Sequence, residues 1–235
     1  MLKVESLNSG YGKLHVLYNV SIDCGKGEII AVVGPNGAGK TTLLNSIFGI
    51  ADVYSGSVKL DGEEITRLPA HVIARKGVAY VLQMINIFSE LSVEENLRIS
   101  ASYAKVNAEE KLEEIFEIFP ILKERRKQRA GTLSGGERQM LAMSIGLVRD
   151  PKVLLLDEPT AGLMPLYVDL IIRKVNEIRN ERGISVVLVE QNVKKALEIA
   201  DRAYVLVSGQ VIFSGSPSDL TSEKEIMRLY LGMGE

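Results

Sequence analysis

Between the apolar run Glu28-Ile29-Ile30-Ala31-Val32-Val33 and the helically spaced Leu43, Leu44, Ile47 and Phe48 stands Gly34-Pro35-Asn36-Gly37-Ala38-Gly39-Lys40-Thr41-Thr42. The pattern is G-x-x-x-x-G-K-[ST] joining a strand to a helix, which restricts the chain to folds built around a phosphate loop. Gly34, Gly37 and Gly39 let the backbone curl until successive N–H groups converge on one phosphate, where side chains would block the approach. The helix beginning near Gly39 adds its positive end. Lys40 places a compact cation on the β- and γ-phosphates, and the Thr41 hydroxyl can ligate Mg²⁺. A nucleoside triphosphate is the expected ligand.

Composition narrows the setting. With 235 residues, 46% hydrophobic and 25% charged, the chain can build one large α/β core or a core with an inserted subdomain. A formal charge of -2 provides no global pull toward nucleic acid or anionic lipid. Cys24 is the sole cysteine, which excludes an intrachain disulfide and fits a reducing compartment. No apolar stretch approaches the roughly 18–20 residues that span a bilayer, and the start of the chain has no signal-peptide h-region. The expectation is a cytoplasmic protein whose membrane role runs through a partner.

Strand-like segments open the chain at Leu2–Leu7 and Val20–Cys24, and Gly56–Leu60 reads as a strand closing in an Asp61-Gly62 turn. Pro69–Lys76 reads as a short helix and Val78–Val81 as a buried strand. Residues 84–150 are then nearly all helical in pattern. Ser92 with Glu95 forms a capping box, Asn107 is placed to cap a helix striped by Leu112, Ile115, Phe116 and Phe119, and Gly135–Val148 makes a third helix. Lys152–Leu156 and Ile184–Val189 are apolar throughout, as parallel strands buried on both faces are. They alternate with helices at Pro165–Glu181 and Val193–Ala200, followed by a hairpin through Ser208-Gly209 and a helix near Glu223–Leu231.

Leu154-Leu155-Leu156-Asp157-Glu158-Pro159 delivers two carboxylates to a strand's C-terminal end, the edge where ligands of open α/β sheets sit. Adjacent side chains on extended backbone point apart, so the two acids cannot share a job. Asp157 fits the Mg²⁺ contact, and Glu158 fits the group that orients and deprotonates water attacking the γ-phosphate. Leu133-Ser134-Gly135-Gly136-Glu137 forms a second receptor, in which Ser134 caps a helix whose first N–H groups two glycines leave open. One nucleotide needs one cradle. Two on the same chain imply that each faces the other kind on a second chain.

In this order the blocks resemble the ATP-binding subunit of an ABC transporter, over the whole chain. The resemblance implies an α/β fold: a P-loop NTPase (RecA-like) core with a mostly parallel sheet, an N-terminal antiparallel β subdomain and an inserted helical subdomain. It implies a single ABC ATPase domain over 1–235, with 1–83 and 151–235 as the core and 84–150 as the helical signature subdomain. It further implies a head-to-tail dimer, homo- or heteromeric, that closes on two ATP with Mg²⁺ and reopens on hydrolysis. That cycle would move transmembrane permease subunits from the cytoplasmic face of the membrane. Catalysis then falls to Glu158, Gln191 and Lys40. ATP is held by Tyr11, whose flat ring suits adenine stacking, by Gly34 through Thr42, and by Ser134, Gly135, Gly136 and Glu137 across the dimer. Thr41, Gln83 and Asp157 face the metal, and Gln83 also senses the membrane domain.

A narrower resemblance, to the subfamily importing branched-chain amino acids, lies in several segments. They are Arg129 to Glu137 with Gln139-Met140-Leu141-Ala142, Leu188 to Asn192, Ala200 to Leu206, Val93 to Leu97, and Tyr230-Leu231-Gly232. It implies a second, related ATPase beneath two membrane subunits fed by a binding protein. Departures stand beside it. Gln191 replaces the usual histidine, and an amide donates hydrogen bonds without becoming a cation. Met164 replaces an aspartate, Leu82 a proline, and Met84-Ile85-Asn86 is atypical of the amino-acid importers. The alternatives are an ATPase powering another substrate, of the urea, amide or lipopolysaccharide type, and a soluble regulatory ATPase. One acting on ribosomes or DNA would need a second cassette or a long coiled coil, for which there is no room.

The basic run Lys123 to Arg129 follows Glu110, Glu113, Glu114 and Glu117, and reads as a paired, solvated surface rather than a nucleic-acid site. No aromatic set for base stacking is interleaved with it. His15 and His71 are isolated and suggest no metal beyond Mg²⁺. Phe88, Leu91 and Val93 either receive a helix of a membrane subunit or pack the insertion's own core.

Overall fold

The computed structural model describes residues 1–83, 87–104 and 107–232; the Met84-Ile85-Asn86 departure lies outside the described residues. The chain opens with β1 (Leu2–Tyr11) and β2 (Leu14–Cys24). The all-buried β3 (Ile29–Val33) then feeds the phosphate loop and α1 (Lys40–Ile47). β4 (Asp52–Leu60) and β5 (Glu63–Glu64) form a hairpin whose Asp61 and Gly62 have φ of 51° and 82°, the left-handed pair a two-residue turn needs. After α2 (Ala70–Arg75) and β6 (Val78–Val81) come α3 (Val93–Ala104), α4 (Ala108–Ile118), α5 (Pro120–Glu124), one 3-10 turn at Ala130–Thr132 and α6 (Gly135–Leu147). Strand and helix alternate again in β7 (Val153–Asp157), α7 (Pro165–Arg182), β8 (Ser185–Val189) and α8 (Val193–Ile199). The hairpin β9 (Arg202–Val207) and β10 (Gln210–Gly215) precedes α9 (Pro217–Ser222) and α10 (Lys224–Leu229).

Two sheets result. The first is antiparallel in the order β2-β1-β4-β5, and the second runs β10-β9-β3-β8-β7-β6, parallel except for the antiparallel β10. The period of two in a strand divides the central sheet's side chains between two cores. Ile29, Ala31 and Val33 face α3 to α8, together with Leu154, Leu156, Val186 and Leu188. Ile30 and Val32, with Leu155 and Val187, face α1 and the antiparallel sheet. The α4 stripe of Leu112, Ile115 and Phe116, continued by Phe119, is buried in the first core, so the helical segment and the sheet share one interior.

Three sequence expectations need correction. β1 and β2 extend beyond their apolar stretches because Asn8, Ser9 and Gly10 still pair with β4 across register shifts, which hydrophobic alternation does not signal. Asn107 occupies the N-cap of α4, but among the described residues its side chain makes no capping hydrogen bond. The chain end holds two short helices rather than one, and α9 announces itself in Ser216-Pro217-Ser218-Asp219, a capping box with proline at the first helical position. The Ser92–Glu95 box forms as expected, with Glu95 N–H donating to Ser92 Oγ at 3.2 Å and Ser92 N–H to Glu95 Oε2 at 2.7 Å.

Candidate functional site

Parallel strands in the order β3-β8-β7-β6 bring four loops to one edge: the phosphate loop, Glu190–Asn192, Glu158–Thr160 and Gln83. A cleft of about 510 Å³ lies there, lined by Asn36, Gly37, Ala38, Gly39, Lys40, Thr41, Thr42, Gln83, Glu158, Gln191 and Val16. Residues far apart in sequence therefore meet as expected.

The three glycines answer to different constraints. Gly37, at φ 77°, has open space where a Cβ would stand, and it is the one free to approach a ligand. A Cβ on Gly34 would lie 2.0 Å from the Leu206 carbonyl oxygen, and one on Gly39 2.7 Å from Leu17 Cδ2. Those two are glycines because the loop packs against β9 and β2, a correction to the reading that all three clear a path for phosphate.

Lys40 is buried and donates to the carbonyls of Gly34 (2.9 Å) and Pro35 (3.0 Å), so those two residues hold the ammonium rather than line the cleft. Burial draws its pKa below the ordinary lysine value, opposed by the Glu158 and Asp157 carboxylates. Asp157 is buried, and desolvation raises its pKa although Thr41 Oγ1 donates to Oδ1 at 3.2 Å. A hydroxyl and a carboxylate thus converge beside Lys40, and hard oxygen donors of this kind suit Mg²⁺. Glu158 has φ 47°, accepts from Gln83 Nε2 at 2.7 Å, and donates its N–H to Val189 O at 2.9 Å. Gln191 Nε2 reaches Asn36 Oδ1 at 3.4 Å.

Tyr11 and the segment Ser134–Glu137 do not line this cleft. The Tyr11 hydroxyl accepts from Asn45 Nδ2 at 2.7 Å; Asn45 Oδ1 lies 3.1 Å from the Tyr80 hydroxyl, which lies 3.3 Å from Asp157 Oδ2. Burial pushes the Tyr80 phenol well above its usual value. Ser134 caps α6 in a complete box with Glu137. Gly135 is exposed, whereas Gly136 is buried with its Cβ position 2.2 Å from the Tyr167 ring, so its lack of a side chain serves packing.

Sequence reasoning missed Val16, Asn45, Tyr80 and Glu190. Asn45 carried a signal, since it lies one helical turn beyond Thr41 on the same face. Glu190 carried a fainter one, as a carboxylate abutting an all-apolar strand. Elsewhere, Phe88 is 57% exposed and Val93 fully buried, which splits that group between surface and core. The buried Asn96 grips the Phe88 backbone, accepting from its N–H at 2.7 Å and donating to its carbonyl at 3.0 Å. Four cations of the basic run are ion-paired, Lys123 with Glu113, Arg125 with Glu137, Arg126 with Glu94 and Arg129 with Glu90; among the described residues, Glu113 is the one upstream acid named above that takes part.

The ABC transporter family profile matches residues 17–161, and the chain belongs to that family. The probable branched-chain amino acid transport ATP-binding protein LivF of Archaeoglobus fulgidus is 48% identical over 234 residues, covering 99% of both chains. The high-affinity branched-chain amino acid transport ATP-binding protein BraG of Pseudomonas aeruginosa is 43% identical, covering 99% of this chain and 100% of its own. The solved structure of CbiO1 from Clostridium perfringens, part of the ABC transporter complex CbiONQ, superposes with a TM-score of 0.86 at 29% identity, covering 97% of this chain and 92% of its own.

Proposed function

We propose that the chain is the Mg²⁺-dependent ATPase subunit of a transporter importing branched-chain or other hydrophobic amino acids. It acts as one ABC ATPase domain over 1–235, with 84–150 as its helical signature part. Two such subunits, identical or related, pair head to tail beneath transmembrane permeases on the cytoplasmic face of the membrane. The observation that carries this reading is one cleft lined by Lys40, Thr41, Glu158, Gln83 and Gln191, with Asp157 bonded to Thr41 beside it and Ser134–Gly136 standing off it. No helix among the described residues is long and apolar enough to cross a membrane, so coupling requires a partner. The exposed Phe88, its backbone held by Asn96, offers such a partner an apolar contact.

Loop N–H groups and α1's positive end bind the β- and γ-phosphates, and Lys40 turns from the Gly34 and Pro35 carbonyls to the developing charge. Thr41, Asp157 and Gln83 are the residues to hold Mg²⁺, which when bound neutralises phosphate charge. Glu158 takes the proton of the water that attacks the γ-phosphorus, and the bond to the ADP oxygen breaks as the new P–O bond forms. Gln191 donates to the γ-phosphate or the water. Tyr11 stacks on adenine, and Ser134, Gly135, Gly136 and Glu137 of a second subunit close the site.

Specific turnover measured against protein concentration tests the scheme. It should rise as dimers form and collapse in Ser134→Ala, and purification from membranes should recover the permeases. Concentration-independent turnover that ignores Ser134 would refute it.

A further inference from the structure

Glu190 follows β8 directly and precedes Gln191, yet it does not line the cleft. It is 1% exposed. Its Oε1 accepts the Thr160 N–H at 3.0 Å, while Oε2 accepts those of Gln191 at 3.1 Å and Asn192 at 3.4 Å. One carboxylate therefore ties the loop after β7 to the loop after β8. A backbone bond runs alongside, from Glu158 N–H to Val189 O at 2.9 Å. Between these two ties Glu158 holds φ 47°, a left-handed conformation that side-chain-bearing residues avoid. Backbone of this kind persists only where its surroundings over-determine it.

We infer that Glu190 is a positioning residue that clamps the Glu158 and Gln191 loops at one spacing, so that base and γ-phosphate donor face the same point. The inference rests on the roles proposed for those two residues. A carboxylate suits the place because both its oxygens accept and neither donates. Glutamine would turn an NH₂ group toward at least one of the three backbone N–H groups. A buried acceptor lost in this way is expensive.

The test compares wild type with Glu190→Gln, Glu190→Asp, Glu158→Gln and the Glu158→Gln/Glu190→Gln pair. It reads steady-state kinetics, ATP binding and amide hydrogen exchange. Glu190→Gln should lower kcat by roughly tenfold to a hundredfold while KM and ATP affinity move by less than about twofold. Exchange should rise together in segments 159–162 and 190–193. Glu190→Asp, which keeps the charge but falls short of one loop, should lie between. The double variant should lose less than the product of the two single losses, because the part of the clamp's effect that runs through Glu158 is already gone. An unchanged kcat, a loss of kcat without faster exchange in both loops, or a fully multiplicative loss in the double variant would overturn the clamp. Wild-type turnover in Glu158→Gln would instead overturn that residue's proposed role, and the exchange measurement would still decide whether Glu190 joins the loops.

Discussion

Gly135 and Gly136 are neighbours that a methyl group would tell apart. Replacing either with alanine in the first turn of α6 gains up to about 1 kcal/mol of helix propensity. At Gly136 the new Cβ would stand 2.2, 2.4 and 2.7 Å from three Tyr167 ring carbons, inside any permitted contact, so the ring must leave. Tyr167 is partly buried against the main core. Full burial of a large apolar side chain is worth roughly 1.5–3 kcal/mol, and clash and repacking add to the part lost here. The loss wins by about 1 kcal/mol, which lowers the melting temperature of a chain this size by roughly 2–4 °C. At Gly135 the nearest atom is Leu163 Cδ2 at 3.4 Å, so Gly135→Ala should melt at or above wild type. Its exposed face is the one assigned to the partner's ATP, and turnover of the assembled ATPase should fall all the same. Thermal melts and steady-state ATPase assays on both variants suffice. If Gly136→Ala melts no lower than wild type, or Gly135→Ala falls equally far, Tyr167 does not explain the second glycine.

Glu158→Gln should reduce kcat by roughly 10²–10⁴ and leave ATP binding intact; size-exclusion chromatography should find an ATP-dependent dimer, and a monomer at saturating ATP would contradict this. Because an amide does not titrate, the pH–rate profile should contain no limb near about 6.5 belonging to position 191. Such a limb disappearing in Gln191→Ala would be the contrary result. Arg202 grips Asp23 at 2.8 Å and also pairs with Glu28, and its guanidinium holds the Asp23 carboxyl below the usual carboxylate range. A depressed carboxyl adds stability above its unfolded pKa of about 3.9 and loses it as pH falls through the folded value. Melting temperatures taken from about pH 5 to about pH 3 should therefore decline less steeply in Arg202→Gln, and parallel declines would refute the assignment.

The phosphate loop, the acidic pair and the alternation of strand and helix were all legible, because each is a local pattern with one physical reading. What escaped was decided by tertiary contact. Nothing in the sequence near Gly34 tells that β9 presses against it, or near Gly136 that Tyr167 covers it. Cys24, at the end of a strand-like segment in the sequence, is buried in β2 with its thiol pushed up to about 12 by desolvation, and it has no thiolate to offer. Glu190 is marked in the sequence only by its place after an apolar strand, and its three N–H partners come from two loops thirty residues apart. Tyr11 was found through resemblance, whereas its tie to Asn45 and on toward Asp157 needed the assembled sheet.

β3 behaves as a party wall. Its odd residues furnish one room and its even residues the other, and neither tenant can leave without stripping the neighbour's side. An excised 84–150 fragment would carry a raw oily face and precipitate, as would the remainder. A change in packing on either side of β3 is therefore felt on the other, at the strand that leads into the phosphate loop.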